Sequence, residues 1–213
     1  MIDMGSVGKP GELTVVCGCM FAGKSEEMIR QLRRAVIAKR TVHVFKPLID
    51  NRSGTDRVRS HSKIEIPATA VEHAIDILLT NITHLRDNLK GVSESYNGWV
   101  WEADVVGIDE AQFFGPSIIQ VVDTLVDMGK RVIVAGLDLD YRGEPFGSMP
   151  ILMAKADHVT RLSAVCTVCG HPAIRTQRLD SSDEHVLIGG TDKYAARCRA
   201  HFRVFTPVLD DPT

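Results

Sequence analysis

The sequence predicts an α/β chain, with a mostly parallel sheet flanked by helices and a small cysteine-bearing lobe after it. Three observations carry that expectation. Apolar, β-rich runs recur at 13–16, 42–45, 104–108 and 131–135, without the regular polar alternation of a sheet that faces water on one side. Amphipathic helical patterns lie between them, and strands alternating with helices indicate parallel pairing. From Ala164 onward both periods fade into Cys, His, Arg, Gly and short polar stretches.

The 213 residues suit one domain of ordinary size with a small appendage, and 44% hydrophobic with 24% charged residues is the balance of a soluble globular chain. Lys plus Arg total 25 against 27 for Asp plus Glu, a net charge of −2, so bulk attraction to nucleic acid is not expected. No run approaches the ~18 apolar residues of a membrane span. Residues 1–12 lack the basic and apolar regions of a signal peptide, so the expected location is the cytoplasm, with neither membrane nor nucleic acid as partner. The five cysteines are odd in number and bunched, unlike a secreted disulfide framework.

The elements follow in order. The strand at 13–16 leads into a glycine-rich turn and a helix over 25–40, with Met28, Leu32 and Val36 toward the core. Glu26 and Glu27 stand early in that helix and Arg33, Arg34, Lys39 and Arg40 late, as the helix dipole favours. After the strand at 42–45, residues 87–98 read as a polar surface loop, and the strand at 104–108 ends on Asp109 and Glu110. A helix over 116–128 buries Ile118, Ile119, Val122 and Leu125 and stops at Gly129. The strand at 131–135 follows. The change of texture divides the chain into a nucleotide-binding unit over 1–163, a cysteine lobe over 164–206 and a tail over 207–213.

The turn after the first strand, Gly18-Cys19-Met20-Phe21-Ala22-Gly23-Lys24-Ser25, is a full match to the phosphate-binding P-loop, G-x-x-x-x-G-K-[ST], and it opens a helix. This makes the fold class P-loop NTPase-type. Glycines let successive N–H groups face an anion, Lys24 reaches the β- and γ-phosphates, and Ser25 offers its hydroxyl to Mg²⁺. Asp109, at the carboxyl end of a buried parallel strand, is placed to hold Mg²⁺, while Glu110 is the candidate to take a proton or orient a nucleophile. Cys166-x-x-Cys169 and Cys198-x-x-His201 supply three thiolates and an imidazole, a closed tetrahedral set for structural Zn²⁺. His171 is a rival fourth ligand of lower rank, and Cys17 and Cys19 read as small buried residues.

These residues resemble the type II thymidine kinase family, the cytosolic, zinc-containing kind, over nearly the whole chain. The resemblance rests on the Gly18 to Ser25 loop, Phe45-Lys46-Pro47-Leu48-Ile49-Asp50-Asn51-Arg52, Ser60-His61, and Asp109-Glu110-Ala111-Gln112-Phe113-Phe114. It continues through Ala135-Gly136-Leu137-Asp138, Tyr141-Arg142-Gly143-Glu144-Pro145-Phe146-Gly147, the cysteine knuckles and Gly189-Gly190-Thr191-Asp192-Lys193-Tyr194. It implies transfer of the γ-phosphoryl of ATP to the 5′-hydroxyl of thymidine, with deoxyuridine a weaker acceptor, in nucleotide salvage for DNA synthesis. Glu110 would be the catalytic base. Gly18, Met20, Phe21, Ala22, Gly23, Lys24, Ser25, Asp109 and Arg52 would face the ATP phosphates, with Ser25 and Asp109 on Mg²⁺. Met20, Phe113, Leu137, Tyr141, Phe146, Thr176, Val186, Leu187, Ile188, Gly189 and Tyr194 would surround the nucleoside. The stretch between Cys169 and Cys198 resembles the family's zinc-tied lasso, whose backbone bonds the pyrimidine edge.

The resemblance further implies a homotetramer inhibited by thymidine triphosphate. Residues 81–101, longer than the family pattern and carrying Tyr96, Trp99 and Trp101, depart from the resemblance, so the family's local subunit contacts do not carry over there, while the chemistry does. Two other classes compete. One is an ATPase that grips nucleic acid through the lobe, where Arg175, Arg178, Arg197, Arg199 and Arg203 are concentrated. The other is a nucleotide-binding regulator without turnover. A solvated basic surface with phosphate-facing members accounts for the arginines, and no sensor element or further substrate domain is visible in the sequence.

Overall fold

A computed structural model describes residues 10–50, 54–60, 62–80, 102–179 and 190–204. Arg52, His61, residues 81–101 and residues 180–189 lie outside them. The central feature is a six-stranded sheet, every pairing parallel. Its strands are β1 (Glu12–Gly18), β2 (Val42–Pro47), β5 (Thr69–Val71), β6 (Val105–Ile108), β7 (Arg131–Gly136) and β8 (His158–Leu162), in the order β5-β2-β6-β7-β1-β8. A separate antiparallel pair, β3 (Arg57–Arg59) and β4 (Glu65–Pro67), lies between β2 and β5 in the chain.

The apolar runs reflect burial on both faces. Leu13, Val15, Val106, Ile108, Val132 and Val134 share one core with Ile118, Val121, Val122 and Leu125 of helix α3 (Ser117–Asp127) and with Met149 and Leu152 of helix α4 (Met149–Lys155). Val16, Val44, Val105, Ile133 and Ala135 point the other way, against Met28, Ile29, Leu32 and Ala35 of helix α1 (Lys24–Ile37). Successive strand residues alternate between the two cores, so neither face leaves a polar period in the sequence. The short helix α2 (Asp76–Leu79) adds Ile77 to the first core.

Both long helices end in the same manner. Gly129, at φ 78°, donates to Val126 O at 2.8 Å, and Lys130 N–H reaches Leu125 O at 3.0 Å, a Schellman closure. Helix α1 closes identically on Lys39, at φ 58°, with Lys39 N–H on Val36 O at 2.9 Å and Arg40 N–H on Ala35 O at 3.0 Å. It therefore stops at Ile37, short of the expected Arg40. Val36 is 38% exposed, against the expectation that it faces the core. Steps of four residues drift by about 40° each around a helix, so the buried face runs through Met28, Ile29, Leu32 and Ala35 instead.

After Leu162 the pairing changes. Strands β9 (Ala164–Val165) and β10 (Pro172–Ala173) pair antiparallel, as do β11 (Arg175–Arg178) and β12 (Tyr194–Arg197). Leu32→Ala, at a position with no exposure, is expected to lower stability by about 2–5 kcal/mol, whereas Val36→Ala should change it by less than about 0.5 kcal/mol. Urea midpoints at equal slope measure both, and equal losses would contradict the assigned face.

Candidate active site and metal centre

Strand β1 runs directly into the phosphate loop. Gly18 has φ 140°, and a Cβ there would come within 2.3 Å of Leu162 O on the adjoining strand, so glycine alone fits. Phe21 (φ 66°) and Gly23 (φ 84°) take left-handed conformations that curl the loop toward the start of α1. Lys24 is buried, with Nζ donating to Cys19 O at 2.8 Å. Burial lowers its pKa, opposed chiefly by the charge of Glu110 and then by Cys19, Asp109 and Asp138.

Ser25 Oγ donates to Asp109 Oδ2 at 2.9 Å and lies 3.2 Å from Oδ1, joining the start of α1 to the residue after β6. Asp109 is raised above the ordinary carboxylate range, first by burial and then by the adjacent Glu110, while the Ser25 hydroxyl acts in the other direction. Glu110, also buried, has φ 50°, a left-handed conformation that few non-glycine residues adopt. Gln112 Nε2 donates to its Oε2 at 2.5 Å, and Gln112 Oε1 accepts Leu137 N–H at 2.9 Å.

The sequence-derived pocket residues fall into contacting groups. Phe113 and Phe146 meet edge to face, with centroids 5.7 Å apart and planes at 86°. Arg178 lies 3.8 Å over the Tyr141 ring and donates through Nη2 to Tyr194 Oη at 3.1 Å. Thr176, buried on β11, accepts Met20 N–H on Oγ1 at 3.0 Å, so the lobe touches the phosphate loop directly. A second tie is Cys19 Sγ donating to Ala173 O at 3.2 Å, and Cys19 packs with Ala164, Cys166, Ala173 and Ala196, flanked by Phe21, Ala22 and Cys198. Burial pushes the Cys17 thiol up to about 11 and raises Cys19 as well, which suits small packed residues. Arg52, Val186, Leu187, Ile188 and Gly189 lie outside the described residues.

Several contributors escape the linear reading. Gln112 reaches a partner 25 residues away, a contact with no local sequence signal. Asp138, buried beyond β7, has Arg161 Nη2 of β8 2.7 Å from its Oδ2. Lys46, wholly buried, donates to Gly54 O at 2.6 Å with Asp50 Oδ2 at 3.9 Å, which ties down the loop after β2. Asp50 is one of the charges that raise Asp109.

The metal-binding expectation has a definite geometry. One donor atom from each of Cys166, Cys169, Cys198 and His201 lies within 4.8 Å of all the others. Cys169 Sγ and Cys198 Sγ are 3.7 Å apart, and His201 Nδ1 is 3.8 Å from Cys166 Sγ and 3.3 Å from Cys198 Sγ. A zinc tetrahedron with bonds of ~2.3 Å has edges of about 3.8 Å, so the donor set fits the ion. Desolvation opposes ionisation of Cys166, but backbone hydrogen bonds at Cys198, Val168 and Cys169 outweigh it and bring the thiol down to about 5. The rival His171 stands outside this donor set and acts through its backbone, its carbonyl accepting Cys166 N–H at 2.8 Å.

A parallel sheet that delivers a glycine turn, a buried lysine and a serine–carboxylate pair to the carboxyl ends of its interior strands defines a nucleotide-binding protein of the P-loop class. Comparison with known proteins narrows the class. The thymidine kinase family model matches residues 11–202, so the chain belongs to the thymidine kinase family and is an enzyme of the kinase type. The thymidine kinase of Deinococcus radiodurans is 49% identical over 199 residues, 91% of this chain and 90% of that protein. That of Bdellovibrio bacteriovorus is 46% identical over 213 residues, covering 100% and 94%, and that of Coprothermobacter proteolyticus is 46% identical over 204 residues, covering 93% of each.

The purified chain is expected to carry one zinc equivalent, and Cys198→Ser to release it, since the site offers four protein ligands and no spare one. Elemental analysis after exhaustive dialysis measures this, and full retention of metal in the variant would exclude the four-ligand site.

Proposed function

We propose that the chain transfers the γ-phosphoryl group of ATP to the 5′-hydroxyl of thymidine, giving thymidine monophosphate and ADP, with deoxyuridine a weaker acceptor. The observation that carries this reading is the adjacency of Asp109, bonded to Ser25 of the phosphate loop, and Glu110, held by Gln112 on the side of Leu137. A group for the phosphates and a group for the acceptor thus stand on consecutive residues.

In this mechanism the loop N–H groups and Lys24 hold the β- and γ-phosphates, with Arg52 as a further contact. Ser25 and Asp109, whose paired hard oxygens fit the ion, would hold Mg²⁺, which neutralises charge on the phosphates when bound. Glu110 accepts the 5′-hydroxyl proton as that oxygen bonds to the γ-phosphorus, and the bond to the β,γ-bridging oxygen breaks to release ADP. Met20, Phe113, Leu137, Tyr141, Phe146, Thr176 and Tyr194 surround the nucleoside, and backbone groups over 186–189 bond the pyrimidine edge.

Residues 1–163 form the nucleotide-binding unit in this reading. Residues 164–206 form the lasso, stapled by structural zinc, and 207–213 form a tail. The enzyme serves nucleotide salvage in the cytoplasm as a homotetramer, with thymidine triphosphate as feedback inhibitor. Family membership and identities of 46–49% support these extensions.

The test is phosphorylation of thymidine, deoxyuridine, deoxycytidine and deoxyadenosine, with ADP release followed in parallel and single-stranded DNA as a control. One ADP per thymidine monophosphate supports the proposal, and ADP formed only with DNA would overturn it. Glu110→Gln is expected to lower kcat by about a hundredfold or more while leaving ATP binding intact. A near-normal kcat would remove Glu110 from the base role.

A further inference from the structure

The side-chain amide of Gln112 spans the catalytic centre and is used at both ends. Its Nε2 donates to Glu110 Oε2 at 2.5 Å, and its Oε1 accepts the backbone N–H of Leu137 at 2.9 Å. Only 3% of the residue is exposed. An amide is required for this pair of contacts, because the carboxylate accepts on one side and the peptide N–H donates on the other. Glutamate at this position would set an acceptor against an acceptor, and methionine would remove both contacts.

Two glycines shape the slot. A Cβ at Gly136, the last residue of β7, would lie 2.7 Å from Gln112 Oε1 and 2.6 Å from Met149 Sδ. A Cβ at Gly147, where φ is 53°, would lie 2.5 Å from the Gln112 carbonyl oxygen. The backbone at the end of β7 and the backbone before α4 therefore close on Gln112 from separate directions. The left-handed turn at Glu110 sets the 3-10 turn Ala111–Phe113 off from β6, and within it Gln112 folds back beside the carboxylate two positions earlier.

We propose that Gln112 is the positioning residue of the phosphotransfer centre, holding the Glu110 carboxylate in register with the Leu137 backbone so that base and nucleoside pocket are aligned by one side chain. The assignment rests on the reading of Glu110 as base. A carboxylate held by a charge-assisted hydrogen bond keeps one orientation, and an ångström of misplacement in such a group costs on the order of a hundredfold in rate.

The experiment is a double-mutant cycle read as kcat, KM for ATP, KM for thymidine and equilibrium ADP binding. Gln112→Met should lower kcat roughly 10- to 100-fold, with ADP binding and the KM for ATP near those of the unaltered chain, because the side-chain amide of Gln112 is engaged by Glu110 and Leu137. Gln112→Glu retains an acceptor for Leu137 N–H but loses the donor, and it should fall at least as far. With Glu110→Gln as background, Gln112→Met should add less than about threefold, since the group it positions is already gone. Near-normal kcat in Gln112→Met, restoration of kcat by Gln112→Glu, or full multiplication of the two effects would each overturn the proposal. Should Gln112→Met melt before assay temperature, Gln112→Glu alone decides, because a purely structural tie to Leu137 survives in it. Failure of the underlying reading shows separately, as normal turnover in Glu110→Gln alone.

Discussion

The constraint on which the structure depends is the burial of opposed charges at the carboxyl ends of the interior strands of a parallel sheet. Lys24 is lowered and Asp109 raised, both chiefly by removal from water. Isolated, each would cost several kcal/mol to desolvate as an ion. Together they lie in one field, where Glu110, Asp109 and Asp138 favour the lysine charge and Ser25 favours that of Asp109. This arrangement requires β6, β7 and β1 to be neighbours in that order, because Asp109 follows the first, Asp138 follows the second and the phosphate loop follows the third. The apolar cores on the two faces therefore serve the chemistry indirectly, by holding three strand ends in register.

The cysteine lobe is bound to the loop at those strand ends rather than appended at a distance. Its own apolar cluster consists of alanines and cysteines and draws Cys19, Phe21 and Ala22 from the phosphate loop to complete itself. So few small side chains supply little hydrophobic stabilisation, which is the circumstance in which a bound metal contributes to folding. The bonds from Met20 to Thr176 and from Cys19 to Ala173 then make loop and lobe one packing unit. Anything that reshapes the four-donor site therefore acts on the backbone of the glycine loop as well as on the lobe itself.

Most of the sheet was legible because a strand buried on both faces leaves a continuous apolar run. β1, β2, β6 and β7 all do so. The edge strand β8, with His158, Val159 and Arg161 exposed, has no such run, and β5 is only three residues long, so neither can be read from composition. The stop of α1 was misplaced because its left-handed closing residue is Lys39 rather than the glycine that marks the end of α3. The phosphate loop and the cysteine knuckles were legible because their chemistry fixes short spacings. Gln112, Asp138 and Arg161 were not legible as partners, since each acts across elements that meet only in the fold.

The sites hardest to read are also those where local preference is overridden. Glu110 holds a left-handed φ without being glycine, its neighbour Asp109 is an acid removed from water, and Gly136 and Gly147 give up side chains so that Gln112 can be enclosed. Each departs from what the isolated segment would prefer, and each is stabilised by something remote: β6 and β7 in register, α4 covering Gly136 through Met149, and the amide that closes on Leu137. Conflict between local and global preference, concentrated within a few residues of one strand end, is what distinguishes the proposed reacting centre from the rest of an otherwise self-consistent fold. In the proposed mechanism the left-handed residue and the amide beside it form a single device, in which the turn aims the carboxylate and the amide keeps it aimed.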